Sequence, residues 1–324
     1  MAEPDISILI PNYNGAALLE ENIPYALAAA RNSGVSWELL VADDASTDQS
    51  CAFLKAHYPD VKLIVGEKNL GFAGNCNRGA AHCLGSWILL LNSDVKLHAD
   101  YLKILLPFTQ DSSVFGVSGS ILPDGPGTIM DAGKYPAWSG LMLNSTLNFY
   151  PNEESGTSFP ALFLSGAAAL LNANKFRQLG GFQELFNPYY FEDAEISIHA
   201  WRRGWSSLFV PQATCFHRVS STITSSAKQE TIRMVARRNK LLLHEIHLDG
   251  YRRFFWKISL GFYRVLAILN PSSVQAKAYS EYRKRCSAAG QIRKKIEAVP
   301  GIRPLSEVVK EIQLSLKGRV ERFF

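Results

Sequence analysis

Through its first 120 residues the chain alternates short apolar runs with amphipathic stretches, a rhythm that few folds accept. Ile6–Ile10, Glu38–Ala42, Val61–Val65, Trp87–Leu91 and Val114–Ser118 read as strands, and Ala16–Arg31, Thr47–His57, Ala73–Leu84 and Tyr101–Leu106 read as helices between them. Apolar strands separated by helices predict an α/β chain whose central sheet is mainly parallel and covered by helices on both faces. Ser46 followed by Gln49 predicts a capping box for the second helix. In sheets of this kind ligands collect beyond the carboxyl ends of the strands, so the residues that end each apolar run carry the functional reading.

The rhythm breaks after Gly119. The stretch LPDGPGTIMDAGKYPAWSG is rich in Gly and Pro and predicts loops and hairpins. A strand over Leu162–Leu171, a helix over Ala173–Leu179 closed by Gly180-Gly181, a helix over Phe191–Arg203 and a strand over Ser206–Val210 follow. From Ala227 onward the pattern is helical and basic. The Ser/Thr-rich stretch Ser220–Ser226 marks the expected boundary, giving units at 1–222 and 223–324.

Composition narrows the classes. With 47% hydrophobic and 19% charged residues the 324-residue chain is ordinary globular material. Its net charge of +5 hides an asymmetry: residues 1–227 carry 13 Lys and Arg against 21 Asp and Glu, whereas residues 228–324 carry 21 against 8. A basic last third predicts an anionic partner for that third. The five scattered cysteines lack CxxC spacing, which argues against a disulfide framework or a zinc site and fits a reducing cytosol. The first apolar stretch is too short for a signal peptide and no uncharged run reaches membrane-spanning length, so the expectation is a cytoplasmic protein, either free or peripheral on the inner face of the plasma membrane.

Several segments end an apolar run in polar residues. SILIPNYNG ends in Pro11-Asn12-Tyr13-Asn14-Gly15, a turn whose amides suit an anion, although plain strand–turn–helix junctions look the same. LLVADDASTD ends in Asp43-Asp44, with Ser46 and Asp48 as caps. NLGFAGNCNRGA brings Asn69, Gly71, Phe72, Asn75 and Asn77, without the glycine spacing of a dinucleotide fingerprint; a loop and helix start around a buried Phe72 is the alternative. WILLLNSDV ends in Asn92-Ser93-Asp94, where Asp94 fits either a cation or a cap. YYFEDAEISIHAWRRG opens a helix on Glu192-Asp193, where acids also complement the helix dipole, and adjacent positions are expected on different faces. His217 ends LFVPQATCFH as a ligand or a satisfied structural residue.

In this order, from Ile6 to His217, the segments resemble the family 2 glycosyltransferases, inverting enzymes with a GT-A fold, in a pattern also seen among rhamnosyl- and galactosyltransferases. The resemblance implies transfer of a sugar from a UDP-, dTDP- or GDP-linked donor to a glycan or lipid-linked glycan hydroxyl, in cell-surface polysaccharide synthesis. It divides the first unit into a donor half to about residue 120 and an acceptor half over 121–222. It gives the donor Pro11, Asn12, Tyr13, Asn14, Asp43, Asp44, Asn69, Gly71, Phe72, Asn75, Asn77, Asn92 and Ser93. A divalent metal, Mg2+ or Mn2+, falls to Asp94 and His217, the catalytic base to Asp193, and the acceptor to Gly166, Glu192 and Trp138. Two positions depart from the pattern: Ala45 stands where Gly is common, and Asn92 replaces the first acid of the DxD motif, leaving one fewer anionic ligand for the metal.

A carboxylate that takes the hydroxyl proton, with a hard cation on the leaving diphosphate, suffices for one in-line displacement. No second carboxylate is evident as a covalent nucleophile. Two rivals are weighed. A sugar nucleotidyltransferase wants a Gly-rich, cation-bearing phosphate loop that IPNYNGAALLEEN lacks. A catalytically silent glycan- or membrane-binding scaffold has no need of Asp43, Asp94 and Asp193 at element ends. In the basic third, YRRFFWKISLGFYRVLAILN is too short and charged to span a bilayer; it is expected either in an anionic membrane interface or packed on the core as an appendage. No nucleic-acid recognition module is legible there, so no nucleic-acid partner is expected. Pro123–Ser158, with Tyr135, Trp138 and Tyr150, is expected on the acceptor side.

Overall fold

A computed structural model describes residues 3–152, 158–218 and 226–323; most of the expected boundary at 220–226 lies outside the described residues. The chain opens with β1 (Ile6–Asn12), α1 (Ala16–Asn32), β2 (Trp37–Asp43), α2 (Ser50–His57), β3 (Lys62–Val65), α3 (Gly71–Ala80) and β4 (Trp87–Leu91). β1 pairs in parallel with β2 and with β4, and β2 pairs in parallel with β3. Every residue of β1 is buried, because α1 covers one face and α3 the other.

The sheet continues with β5 (Val95–Leu97), α4 (Tyr101–Leu105), β6 (Val114–Pro123), β12 (Ala168–Asn172) and β13 (Ser206–His217). Its order is β11-β13-β6-β12-β4-β1-β2-β3, where β11 is Phe159–Pro160 and β5 adds to β13. β12 enters antiparallel between β4 and β6, so the parallel half gives way to a mixed one. Between β6 and β11 lie β7 (Gly133–Lys134), the hairpin of β8 (Ala137–Ser139) and β9 (Met142–Asn144), and β10 (Asn148–Pro151). α5 (Ala173–Gln178) and α6 (Glu192–Arg202) flank the loop 179–191. The last third folds as α7 (Ser226–His247), α8 (Gly250–Leu269), α9 (Val274–Glu297), α10 (Leu305–Leu316) and β14 (Val320–Phe323).

Several expectations are corrected. The capping box does not form: α2 starts at Ser50, and Ser46 Oγ instead accepts from the Asn14 amide at 2.8 Å. The expected strand Leu162–Leu171 is strand only from Ala168, and Ser206–Val210 extends to His217 across a register shift near Phe209/Thr214. The basic third is not helical throughout, since β14 pairs antiparallel with β10, Phe323 opposite Asn148. That third also shares one hydrophobic core with the acceptor half: Phe149, Phe186, Ile198, Trp201 and Phe209 pack in the same cluster as Leu242, Ile246, Trp256, Tyr282 and Ile312. Trp256, Phe149 and Phe209 are among the largest fully enclosed side chains, so this packing is a main source of stability.

Candidate active site

The carboxyl ends of β1, β2 and β4 share one edge of the sheet, and the residues there divide into those that shape loops and those that face open space. Asp43 is wholly buried: its Oδ1 accepts from Asn12 Nδ2 at 2.9 Å and its Oδ2 from the Ser46 amide at 2.9 Å. Asp44 accepts from the amides of Leu70 and Gly71 at 2.9 Å each and faces Arg78 at 3.2 Å. Asn14 Oδ1 accepts from the Thr47 amide at 2.8 Å, and Asn69 Oδ1 accepts from the Gly71 amide at 3.0 Å. Asn75 donates to the Ala42 carbonyl at 2.8 Å, and Asn77 exchanges two 2.8 Å bonds with Phe182. These side chains thus knit the edge together, and Asp43, Asp44, Asn75 and Asn77 point their polar atoms into protein. Pro11 is buried, Tyr13 is 54% exposed at the rim, and the Ser93 carbonyl accepts from Asn22 Nδ2 at 2.7 Å.

A cavity of ≈ 600 Å³ opens beside this edge. Phe72 and Asn92 reach it from the donor half, Gly166 and the first turn of α6 from the acceptor half, and His217 from the end of β13. His217 Nε2 stands 3.1 Å from Asp94 Oδ2, and that bond raises the imidazole above its ordinary value against the opposing effect of burial. Asp94 Oδ1 and Asn92 Oδ1 are buried and without partners in the described structure. These unpartnered oxygens and the His217 imidazole are a donor set that would fit a hard divalent cation. No cluster of three or more His, Cys, Asp or Glu is found among the described residues, so the chain itself supplies few ligands.

Across the cavity Asp193 Oδ2 accepts from the Gly166 amide at 3.1 Å and its Oδ1 from the Ala194 amide at 2.7 Å. Burial pushes the Asp193 carboxyl up, while these two amides and the Lys134 ammonium hold it down. Glu192, enclosed and next to that charge, is pushed up to about 8, and its Oε2 has no partner in the described structure. Both carboxyls are thus raised, the pattern of two acids crowded into one enclosed turn. Both line the cavity, correcting the expectation that adjacent positions would separate them, because the chain enters α6 through two left-handed residues, Tyr190 (φ 74°) and Phe191 (φ 78°).

That entry is held from the basic third. Asn239 of α7 donates to the carbonyls of Phe186, Tyr189 and Tyr190 at 2.7, 2.9 and 2.8 Å. Arg238 reaches the carbonyls of Phe186 and Asn187 at 3.0 and 2.6 Å, and Arg285 of α9 reaches that of Leu185 at 2.9 Å. Left-handed aromatic residues are costly and persist where surrounding contacts fix them. Sequence reasoning missed Asn239 and Arg238, which lie about 50 residues from their partners. It also missed Lys134 and Asp131, an ion pair on the cavity wall, and Ser145, Thr146, Tyr189 and Tyr190. The apolar run ending at Phe191 could have pointed to the two tyrosines; the others sit in the hairpin region, where no periodicity operates. Trp138 is not among the residues lining the cavity: its ring lies under the Arg252 guanidinium, 4.0 Å away.

The chain is similar to known proteins in sequence and in fold. The sequence model of glycosyl transferase family 2 matches residues 7–179. Over 202 residues, 55% of this chain and 66% of the relative, the sequence is 26% identical to the N-acetylglucosaminyl-diphospho-decaprenol L-rhamnosyltransferase of Mycobacterium tuberculosis. It is 35% identical over 104 residues to the succinoglycan biosynthesis protein ExoO of Rhizobium meliloti, 32% of this chain and 29% of that one. The matched stretch therefore spans less than two thirds of either relative. A structure of GalNAc-T7 with UDP, GalNAc and Mn2+ superposes on 97% of this chain and 57% of its own, with a TM-score of 0.68 at 16% identity. The likeness is one of fold, the GT-A arrangement of a mostly parallel sheet with helices on both sides. With the family model covering more than half of its residues, the chain belongs to glycosyl transferase family 2.

Proposed function

We propose that this chain is an inverting glycosyltransferase that moves a hexosyl or deoxyhexosyl group from a nucleotide-diphosphate sugar to a hydroxyl of a lipid-linked glycan, in cell-surface polysaccharide synthesis. One observation carries the reading: Asp193 and His217 of the acceptor half face a single cavity, and His217 is bonded there to Asp94 of the donor half. The family match and the lipid-linked acceptor named for the mycobacterial relative support the substrate class.

In this reading the donor lies along the carboxyl edge of β1, β2 and β4, in loops that Asp43, Asp44 and Asn75 keep rigid. Asn92, Asp94 and His217 would hold the divalent cation, Mg2+ or Mn2+, which when bound neutralises charge on the leaving diphosphate. The acceptor hydroxyl sits between Gly166 and Asp193. Two amides at its oxygens favour the charged form of Asp193 against the effect of burial, and in that form it removes the hydroxyl proton as the new bond forms. Glu192, protonated at neutral pH, donates a hydrogen bond from the same turn. Phe72, Phe163 and Tyr190 narrow the cavity and exclude water from the reacting centre. A single base on the acceptor side supports inversion.

Five unpaired cysteines support a reducing, cytoplasmic setting, and among the described residues no helix is long and apolar enough to cross a membrane. Release of nucleoside diphosphate from a donor panel with Mn2+ tests the reading. Wild-type protein should turn over at least one donor, and Asp193→Asn should lower that rate by about 10²–10⁴-fold. An NMR time course showing retained anomeric configuration would overturn inversion.

A further inference from the structure

α8 is built inside out. Its buried face holds Trp256 and Leu260, which pack with α9 and the hairpin, while its solvent face is apolar. Phe254, Phe255, Ile258, Phe262 and Val265 recur at helical spacing along that face, each at least 51% exposed, and the stripe ends in Ile268 and Leu269 at 70% and 75%. Twenty residues make a helix of ~30 Å. A patch of this size on an otherwise well-packed protein marks an interaction surface.

The charges around the stripe select its partner. The segment Gly250–Leu269 contains no Asp or Glu. Arg264 lies beside the stripe, and with Lys277, Arg283 and Glu281, whose charge is paired with Lys284, it lines a groove of ≈ 810 Å³ between α8 and α9. Arg264 and Arg283 form no ion pair among the described residues, while Lys277 pairs with Glu230 at 2.7 Å. A wide aromatic and aliphatic face flanked by unpaired cations, with no acid on the helix, matches acyl chains below and anionic headgroups beside it. A second protein surface would have to be apolar and acidic at once.

The stripe also connects to the active site. Arg252 at the start of α8 donates to the Gly140 carbonyl at 2.7 Å and covers Trp138, both in the β8–β9 hairpin. The same hairpin leads directly into Ser145 and Thr146, which line the cavity that holds Asp193. We propose that α8 is an interfacial membrane-docking helix that seats the protein on an anionic bilayer and, through the β8–β9 hairpin, turns the acceptor side of the cavity toward lipid. This deepens the proposed lipid-linked acceptor and rests on that reading for its purpose, though not for its geometry.

The test is flotation of the full chain with phosphatidylglycerol-containing vesicles and with pure phosphatidylcholine vesicles. Wild-type protein should float with the anionic vesicles, more weakly as salt rises. The triple variant Phe262→Ser, Ile268→Ser, Leu269→Ser should partition about 100-fold less, with an unchanged unfolding temperature because all three side chains are exposed. Arg264→Glu with Arg283→Glu should lose the preference for anionic lipid. Wild-type protein that ignores anionic vesicles, or a triple variant that floats equally well, overturns the proposal. So does a wild-type dimer in analytical ultracentrifugation that the triple variant converts to monomer, since the stripe would then be covered by a second copy. Nucleoside diphosphate release from the sugar donor in the presence of a water-soluble acceptor, measured in parallel, separates this result from the catalytic reading: it should be unaffected by the triple variant, and its absence in wild type would count against catalysis alone.

Discussion

At the scale of single residues, Asp193 and Glu192 show how position turns similar carboxyls to different uses. Burial raises both; two amides counter it at Asp193, whereas at Glu192 the neighbouring charge adds to it and carries the carboxyl to about 8. The acid limb of kcat/KM should therefore lie above the range of an exposed Asp, and an alkaline change near pH 8 should vanish in Glu192→Gln, which a pH–rate profile of both proteins would show. Gly166 offers a sharper separation of fold from function. A methyl group added there would stand 3.5 Å from Asp193 Cβ, an ordinary contact, so Gly166→Ala should fold normally while lowering kcat/KM by about tenfold or more. Ala45 is the reverse case: it holds φ 60°, which an L residue adopts at a cost, and Ala45→Gly should leave the unfolding temperature unchanged or raise it slightly. The family pattern marked this position as a departure, and the backbone explains why Gly is usual there. Asp94, Asp193 and His217 could be singled out from sequence because each ends or opens an apolar element, and the fold brings Asp193 and His217 to one cavity with Asp94 bonded to His217. Lys134 and Asp131 were not, since nothing in a Gly/Pro-rich stretch says which side chain will face a cavity.

At the scale of elements, the parallel half of the sheet was read almost residue for residue, because strands buried on both faces leave continuous apolar runs. The errors cluster where tertiary partners decide the outcome. β13 outruns its expected end since it must pair with both β6 and β5, and Ser46 abandons its cap to serve the β1 loop. The entry to α6 is the most consequential such case. Asn239 satisfies three carbonyls of the chain that delivers Asp193, so Asn239→Ala should cost about 1–3 kcal/mol of stability and lower kcat more than it weakens donor binding. Chemical denaturation, single-turnover rates and a nucleotide titration together would check this. A variant that lost stability alone would assign Asn239 a purely structural role.

For the whole molecule, the helical third was legible in kind but not in attachment, because its shared core with the acceptor half arises from contacts far apart in sequence. Within that core Glu195 is pushed up to about 8 by burial, and its neighbour His247, 3.3 Å away, is pushed well down, so both are neutral at pH 7. His199 and His244, lowered to about 4, are likewise uncharged. Between about pH 7 and 8 the folded protein therefore keeps protons on Glu192 and Glu195 that the unfolded chain has released, while these histidines are largely deprotonated in both states. Stability should fall as pH rises across that window, and Glu195→Gln should flatten the fall; thermal melts at about pH 7.2, 7.6 and 8.0 would show it. The pairing of β14 with β10 has a consequence for biosynthesis. The nucleotide-facing half can assemble as soon as it leaves the ribosome, but the opposite wall waits for residues 320–323 to emerge and clasp a strand made about 170 residues earlier. A nascent chain would thus acquire its donor platform long before the opposite side is clasped in place.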